Sequence, residues 1–130
     1  MKRLFALGDQ KVYESTVQES DTATFHGAQV HPVCATFALA RDMEYAGRLF
    51  VLEMTEPDEE GIGTYLTIDH RSPALIGETL SVTATLKSQE AHEVICYIAV
   101  RVGERLIATG ETGQKILKRK KLDSLFASLQ

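Results

Sequence analysis

One segment constrains the fold of this chain more than any other. From Pro32 to about Met54 there is no further proline, and Gly47 is the only glycine. Within it Val33, Phe37, Ala40, Glu44, Gly47, Val51 and Met54 recur at spacings of 4, 3, 4, 3, 4 and 3, which trace one face of an α-helix. Pro32 suits the first helical position, where a missing N–H is no loss. The helix is expected to stop before Glu56-Pro57-Asp58-Glu59-Glu60-Gly61, because Pro57 cannot continue it. A lone long helix must bury its apolar face against something broad, and the rest of the chain offers a sheet.

From Ile62 onward the hydrophobic period changes from helical to two. Ile62, Leu66, Ile68 and His70 fall on one side of a first strand, and Leu80, Val82, Ala84 and Leu86 on one side of a second. Val94, Cys96, Ile98, Val100 and Val102 do the same in a third, and Gly103-Glu104 forms a two-residue loop into a fourth, Arg105 to Leu117. Short loops at Ser72 to Gly77 and Ser88 to His92 predict an antiparallel meander. An earlier strand is expected over Gln10 to Gln18, a loop over Ser20 to Val30, and a short amphipathic helix over about 119–129 from Leu122, Leu125, Phe126 and Leu129. No repeat or linker interrupts this order. The expectation is a single α+β domain over 1–130, an antiparallel sheet curled around a central helix. Such a sheet leaves an edge and part of a face uncovered, so pairing with a second copy is predicted.

Charge and composition narrow the function. Fourteen Lys+Arg stand against eighteen Asp+Glu, a net charge of −4. That is a poor balance for binding nucleic acid, whose affinity comes from neutralised phosphates. Only Lys118-Arg119-Lys120-Lys121 points the other way, as a cluster able to meet a nucleotide phosphate or simply to be solvated. No apolar run approaches the ~20 residues of a membrane span, and the start, Met1 to Asp9, is too short in apolar residues for a secretory signal. Cys34 and Cys96 lie in apolar surroundings without zinc-ligand spacing, so buried reduced thiols in a cytoplasmic protein are expected, with no metal site.

Three residues carry possible chemistry. Glu44 interrupts the apolar stripe of the helix; it either pairs with Arg41 or Arg48 or serves as a base or nucleophile. His70 ends the inward side of its strand, as a satisfied core histidine or a proton carrier. Thr36 lies eight residues before Glu44, an axial rise of about 12 Å in a straight helix, so direct contact between them is not expected. Gly63, on the same strand as His70, lets a ligand approach backbone N–H groups that could hold an oxyanion. His26, His31 and His92 read as solvated, and GxGxxG, P-loop, GxSxG and HExxH motifs are absent.

Together these positions resemble the hot-dog-fold acyl-CoA thioesterases, and among them the fluoroacetyl-CoA thioesterase-like branch. The resemblance is carried by Cys34-Ala35-Thr36-Phe37 and Glu44-Tyr45-Ala46 on the helix, Gly63-Thr64 and His70 on the strand, and Gly77-Glu78-Thr79-Leu80-Ser81-Val82-Thr83-Ala84-Thr85-Leu86. It implies the hot-dog fold, catalytic roles for Thr36, Glu44 and His70, and an oxyanion or substrate-binding role for Gly63 and Thr64. It also implies a homodimer or dimer of dimers with active sites near the interface. No cofactor is implied, coenzyme A being part of the substrate. The aromatic lid expected before the helix is missing, since Gly27-Ala28-Gln29-Val30-His31 holds no Phe, Tyr or Trp. The expected activity is therefore hydrolysis of a short or medium acyl-CoA. The alternatives are an acyl-thioester hydratase or dehydratase on the same fold and a non-catalytic acyl-CoA sensor.

Overall fold

The computed structural model describes residues 1–130. Strand β1 (Gln10–Thr16) is followed by a 3-10 turn (Glu19–Asp21), then β2 (Thr22–Phe25) and β3 (Ala28–Cys34), and helix α1 (Thr36–Met54). Strands β4 (Glu59–His70), β5 (Thr79–Glu90), β6 (Glu93–Val102) and β7 (Arg105–Lys118) come next, and α2 (Arg119–Ser128) ends the chain. The sheet has five strands in the order β1-β5-β6-β7-β4, all neighbours antiparallel, and β2 and β3 form a separate two-stranded ribbon.

The alternation read from β5 and β6 holds: Leu80, Val82, Ala84 and Leu86, and Val94, Cys96, Ile98 and Val100, are all buried. They meet Leu39, Met43, Ala46, Phe50 and Met54 of α1 in one core cluster. Each Val, Leu, Ile, Met or Phe among them is worth about 1.5–3 kcal/mol of burial. The β6–β7 turn is the expected Gly103-Glu104, with Gly103 at φ 57, a conformation that costs glycine nothing. The β5–β6 turn is tighter than expected, only Ala91-His92, at φ 51 and 63. Positive φ at both central residues matches the twist of a hairpin.

Several expectations are corrected. Ser20 to Val30 is not a loop: it holds the 3-10 turn, β2 and the start of β3, joined by His26 and Gly27 at φ 52 and 79. Pro32 does not open the helix. It lies in β3 where the register shifts against β2, a place in a ribbon where no ladder hydrogen bond is asked of it, and the helix begins at Thr36 with Ala35 as its cap. The four later strands are not a simple meander. Strands β5, β6 and β7 are, but β4 pairs with β7 on its far side, so the chain from Arg71 to Glu78 crosses to the other edge region rather than turning back. Strand β4 is therefore a sheet edge.

The buried face of α1 is also rotated from the one predicted. Gly47, Val51 and Met54 are buried as expected, but the rest of the face is Ala38, Leu39, Asp42, Met43, Ala46 and Phe50, while Phe37 and Glu44 are exposed. The helix carries two overlapping apolar stripes, and the one with the larger side chains wins the core. The buried acid is thus Asp42, whose carboxylate is held by Arg41.

Candidate functional site

The N-terminal end of α1 and the C-terminal end of β4 meet at a hydroxyl–imidazole pair. Thr36 Oγ1 lies 2.9 Å from His70 Nδ1, and His70 Nε2 lies 3.1 Å from the Ser72 carbonyl oxygen. A carbonyl oxygen only accepts, so Nε2 carries the proton. In the neutral ring Nδ1 is then the acceptor, and the Thr36 hydroxyl donates to it. The Ser72 carbonyl holds the ring orientation, as a third group does for the base in hydrolase triads. A hollow of about 190 Å³ beside the ring is lined by His70, Arg71, Ser72 and Pro73. His70 itself is half-buried and Thr36 exposed, so the hydroxyl is open to a substrate. Sequence placed both residues and missed Ser72, which acts through its backbone and leaves no side-chain signal.

Glu44 stands two helical turns further on. It is exposed, and neither of the pairings weighed for it occurs: Arg41 binds Asp21 and Asp42, and Arg48 donates to the Gly61 carbonyl. Its carboxylate instead rests against the backbone of Gly63, where a Cβ would lie under 3.0 Å from Oε1. Gly61, two residues before, faces Val51 of the helix in the same way. After these glycines the ladder to β7 shifts register. Gly63 opposes Gln114 and Tyr65 opposes Gly113, leaving Thr64 without a partner. That is a β-bulge, and it reverses which residues face the helix. Ile62 is therefore not on the side of Leu66, Ile68 and His70 as expected: Gly61 and Gly63 face α1 before the bulge, and Leu66 and Ile68 pack on the core after it.

The structure thus brings Thr36 to His70 and Glu44 to Gly63, side by side along the β4 edge, without joining the two pairs. The basic run proves half-neutralised, with Lys118 paired to Asp58 and Arg119 to Glu60. Both cysteines are buried and free. Burial pushes the Cys34 thiol up to about 11, with Asp21 and Asp42 adding to it, and the Cys96 thiol up to about 12. No helix is long and apolar enough to cross a membrane.

Comparison with known proteins gives a consistent picture. The model of a family described as fluoroacetyl-CoA-specific thioesterase matches residues 17–120. A thioesterase superfamily member from Thermus thermophilus superposes with a TM-score of 0.93 at 35% identity, over 98% of this chain and 94% of that one. A phenylalanine-to-alanine mutant of the fluoroacetyl-CoA-specific thioesterase superposes at 0.88 with 21% identity, over 99% and 100% of the two chains. A hot-dog-like protein from Thermanaerovibrio acidaminovorans reaches 0.87 at 17% identity, over 96% and 93%. No curated protein sequence matches. These likenesses bear out the resemblance read from the sequence, and the curled antiparallel sheet with its helix is the hot-dog fold.

Proposed function

The chain belongs to the fluoroacetyl-CoA-specific thioesterase family and is an acyl-CoA thioesterase; from that premise we propose that it hydrolyses short or medium acyl-CoA thioesters with Thr36, Glu44 and His70, and with Gly63 and Thr64 as an oxyanion site. The observation that carries this reading is the Thr36–His70 bond of 2.9 Å, with the imidazole fixed from behind by the Ser72 carbonyl. A buried structural histidine needs no exposed hydroxyl on its open side.

In this mechanism the thioester carbonyl lies against β4 at Gly63-Thr64. The bulge leaves Thr64 outside the β7 ladder, so backbone N–H groups there are available to the oxyanion. Glu44, free of any cation, either takes a proton from the attacking water or attacks the carbonyl itself to form a transient anhydride that water then opens. The C–S bond breaks and the thiolate needs a proton. The thiolate takes the Thr36 hydroxyl proton as His70, protonated from solvent, replaces it through Nδ1–H; Glu44 returns the proton taken from water to solvent, so the enzyme ends as it began. The net reaction adds water across the thioester, giving a carboxylic acid and free coenzyme A, with no metal or redox cofactor.

The reading includes a second copy. The twelve-residue β4 is a sheet edge, and Glu44, Gly63 and Thr64 are exposed in one chain. Pairing β4 with its twin removes the edge and walls the cleft. The test is free-thiol release from a panel of acyl-CoAs. Replacement of Glu44 by Gln, or of His70 by Ala, should lower turnover by at least about 10²-fold with an unchanged melting temperature, since both side chains lie outside the core. Wild-type turnover in both variants overturns the assignment. A sensor binds acyl-CoA without releasing thiol, and a hydratase changes the acyl chain and leaves the thioester intact.

A further inference from the structure

An aromatic pair beside this site lies outside the hydrophobic core. Phe37 follows Thr36 in the first turn of α1 and is 52% exposed, and Phe25, the last residue of β2, is 56% exposed. Their rings meet edge to face with centroids 6.1 Å apart. Val30, on the partner strand of the same ribbon, is 54% exposed. Phe37 directly follows Thr36 and lies seven residues, two helical turns, before Glu44, so it leaves the helix on the Glu44 side. Each phenylalanine leaves about half of its surface in water and forgoes that part of its burial energy, and Phe37 cannot reach the core because the helix has turned its other stripe inward.

We propose that Phe25 and Phe37 form the apolar wall of the acyl-binding surface, and that the preferred substrates carry apolar carbon beyond the two of an acetyl group. The proposal rests on the thioesterase reading for its substrate and adds to it the class of acyl group. A small polar acyl group gains nothing from two phenyl faces. An alkyl tail or an aryl ring attached to a carbonyl at Gly63 would cover them, and such partial cover of apolar carbon should discriminate by about tenfold in all, the effect of a single methylene in a closed pocket. The ribbon that presents Phe25 is a separate two-stranded sheet, anchored to the core through Cys34 and Ala23 while Phe25 and Val30 stay exposed.

The experiment compares hexanoyl-CoA and phenylacetyl-CoA with acetyl-CoA in wild type, F25A and F37A, reading kcat/KM by thiol release and, separately, the binding of the unhydrolysable thioethers S-hexyl-CoA and S-ethyl-CoA. The wild type should favour the larger acyl groups by about tenfold, and each substitution should shrink that ratio severalfold. The same order should hold for thioether binding. A large-to-small ratio that is near one, or that survives both substitutions, overturns the wall while leaving hydrolysis standing. Tighter binding of the S-hexyl compound, lost in F37A, without hydrolysis of any acyl-CoA keeps the wall and overturns the hydrolase reading. A fall from dimer to monomer in F25A or F37A with an unchanged ratio assigns the rings to a second copy and overturns the proposal.

Discussion

Two glycines on one strand separate chemistry from stability. Gly61 and Gly63 both face α1, and at both an added Cβ would come under 3.0 Å from a helix side chain. At Gly61 the neighbour is Cγ1 of Val51, which is 1% exposed and belongs to the core. A β-branched side chain locked in a packed core cannot swing away, so Gly61→Ala forces strain of about 1–3 kcal/mol. The lower chain entropy of alanine returns about 0.5–1 kcal/mol. The net loss should appear as a fall of several degrees in melting temperature. At Gly63 the neighbour is the carboxylate end of Glu44, exposed and held by no cation. That end can retreat by about 1 Å to ordinary contact distance at little cost, so Gly63→Ala should melt within about 2 °C of wild type by the same entropy balance. If Glu44 acts as proposed, the retreat displaces its reacting oxygens, and a misplacement of about 1 Å costs roughly 10²-fold in rate. Thermal melts and thiol-release kinetics on the two variants therefore give opposite patterns: Gly61→Ala is less stable and near-normal in turnover per folded molecule, while Gly63→Ala is stable and slow. A Gly63→Ala enzyme with wild-type turnover, or one that loses as much melting temperature as Gly61→Ala, refutes the placement of Glu44 as an acting group.

Two other expectations can be checked directly. Cys34 and Cys96, with thiols pushed up to about 11 and 12 by burial, should ignore a disulfide reagent at pH 8 in the folded protein and react together on adding denaturant; labelling of either at the rate of a free thiol contradicts their burial. Tyr65 is held up at about 12, first by loss of hydration and then by its hydroxyl bond of 2.8 Å to Glu111. A folded-state value above the ordinary phenol value of about 10 stabilises the fold below pH 10, and that stabilisation is lost as pH rises through 12. The melting-temperature advantage of wild type over Tyr65→Phe should shrink across that window, and a constant difference refutes the shift.

The parts of the fold legible in the sequence are those where one physical signal acts alone. Strands β5 and β6 alternate without interruption because each has one face on the core and one in solvent, and α1 ends where Pro57 demands it. The ribbon of β2 and β3 escaped notice for the opposite reason. Most of its residues are exposed and its register shifts twice, so no apolar alternation marks it. The place of β4 was illegible because strand order is set by pairing across the sheet. A loop from Arg71 to Glu78 is as compatible with a crossing as with a hairpin. Helical periodicity located α1 but not its rotation, since two overlapping stripes share its period, and the one with the larger apolar side chains, Leu39, Met43 and Phe50, takes the core over the one that holds Glu44 and Gly47.

Candidate site residues were legible as types, but their geometry depends on the bulge at Thr64. Under unbroken alternation Gly63 and His70 would point to opposite faces, being an odd and an even residue of one strand. Either the glycine would leave Glu44 and Ile62 would press its side chain on the helix, or the histidine would leave Thr36. One unpartnered residue reverses the parity between them, so both pairs form on the same side. A glycine inside a strand is the available sequence sign of such a bulge, and Gly63-Thr64 carries it. The device also sits where it disturbs least: β4 has only β7 for a neighbour, so only one ladder is interrupted.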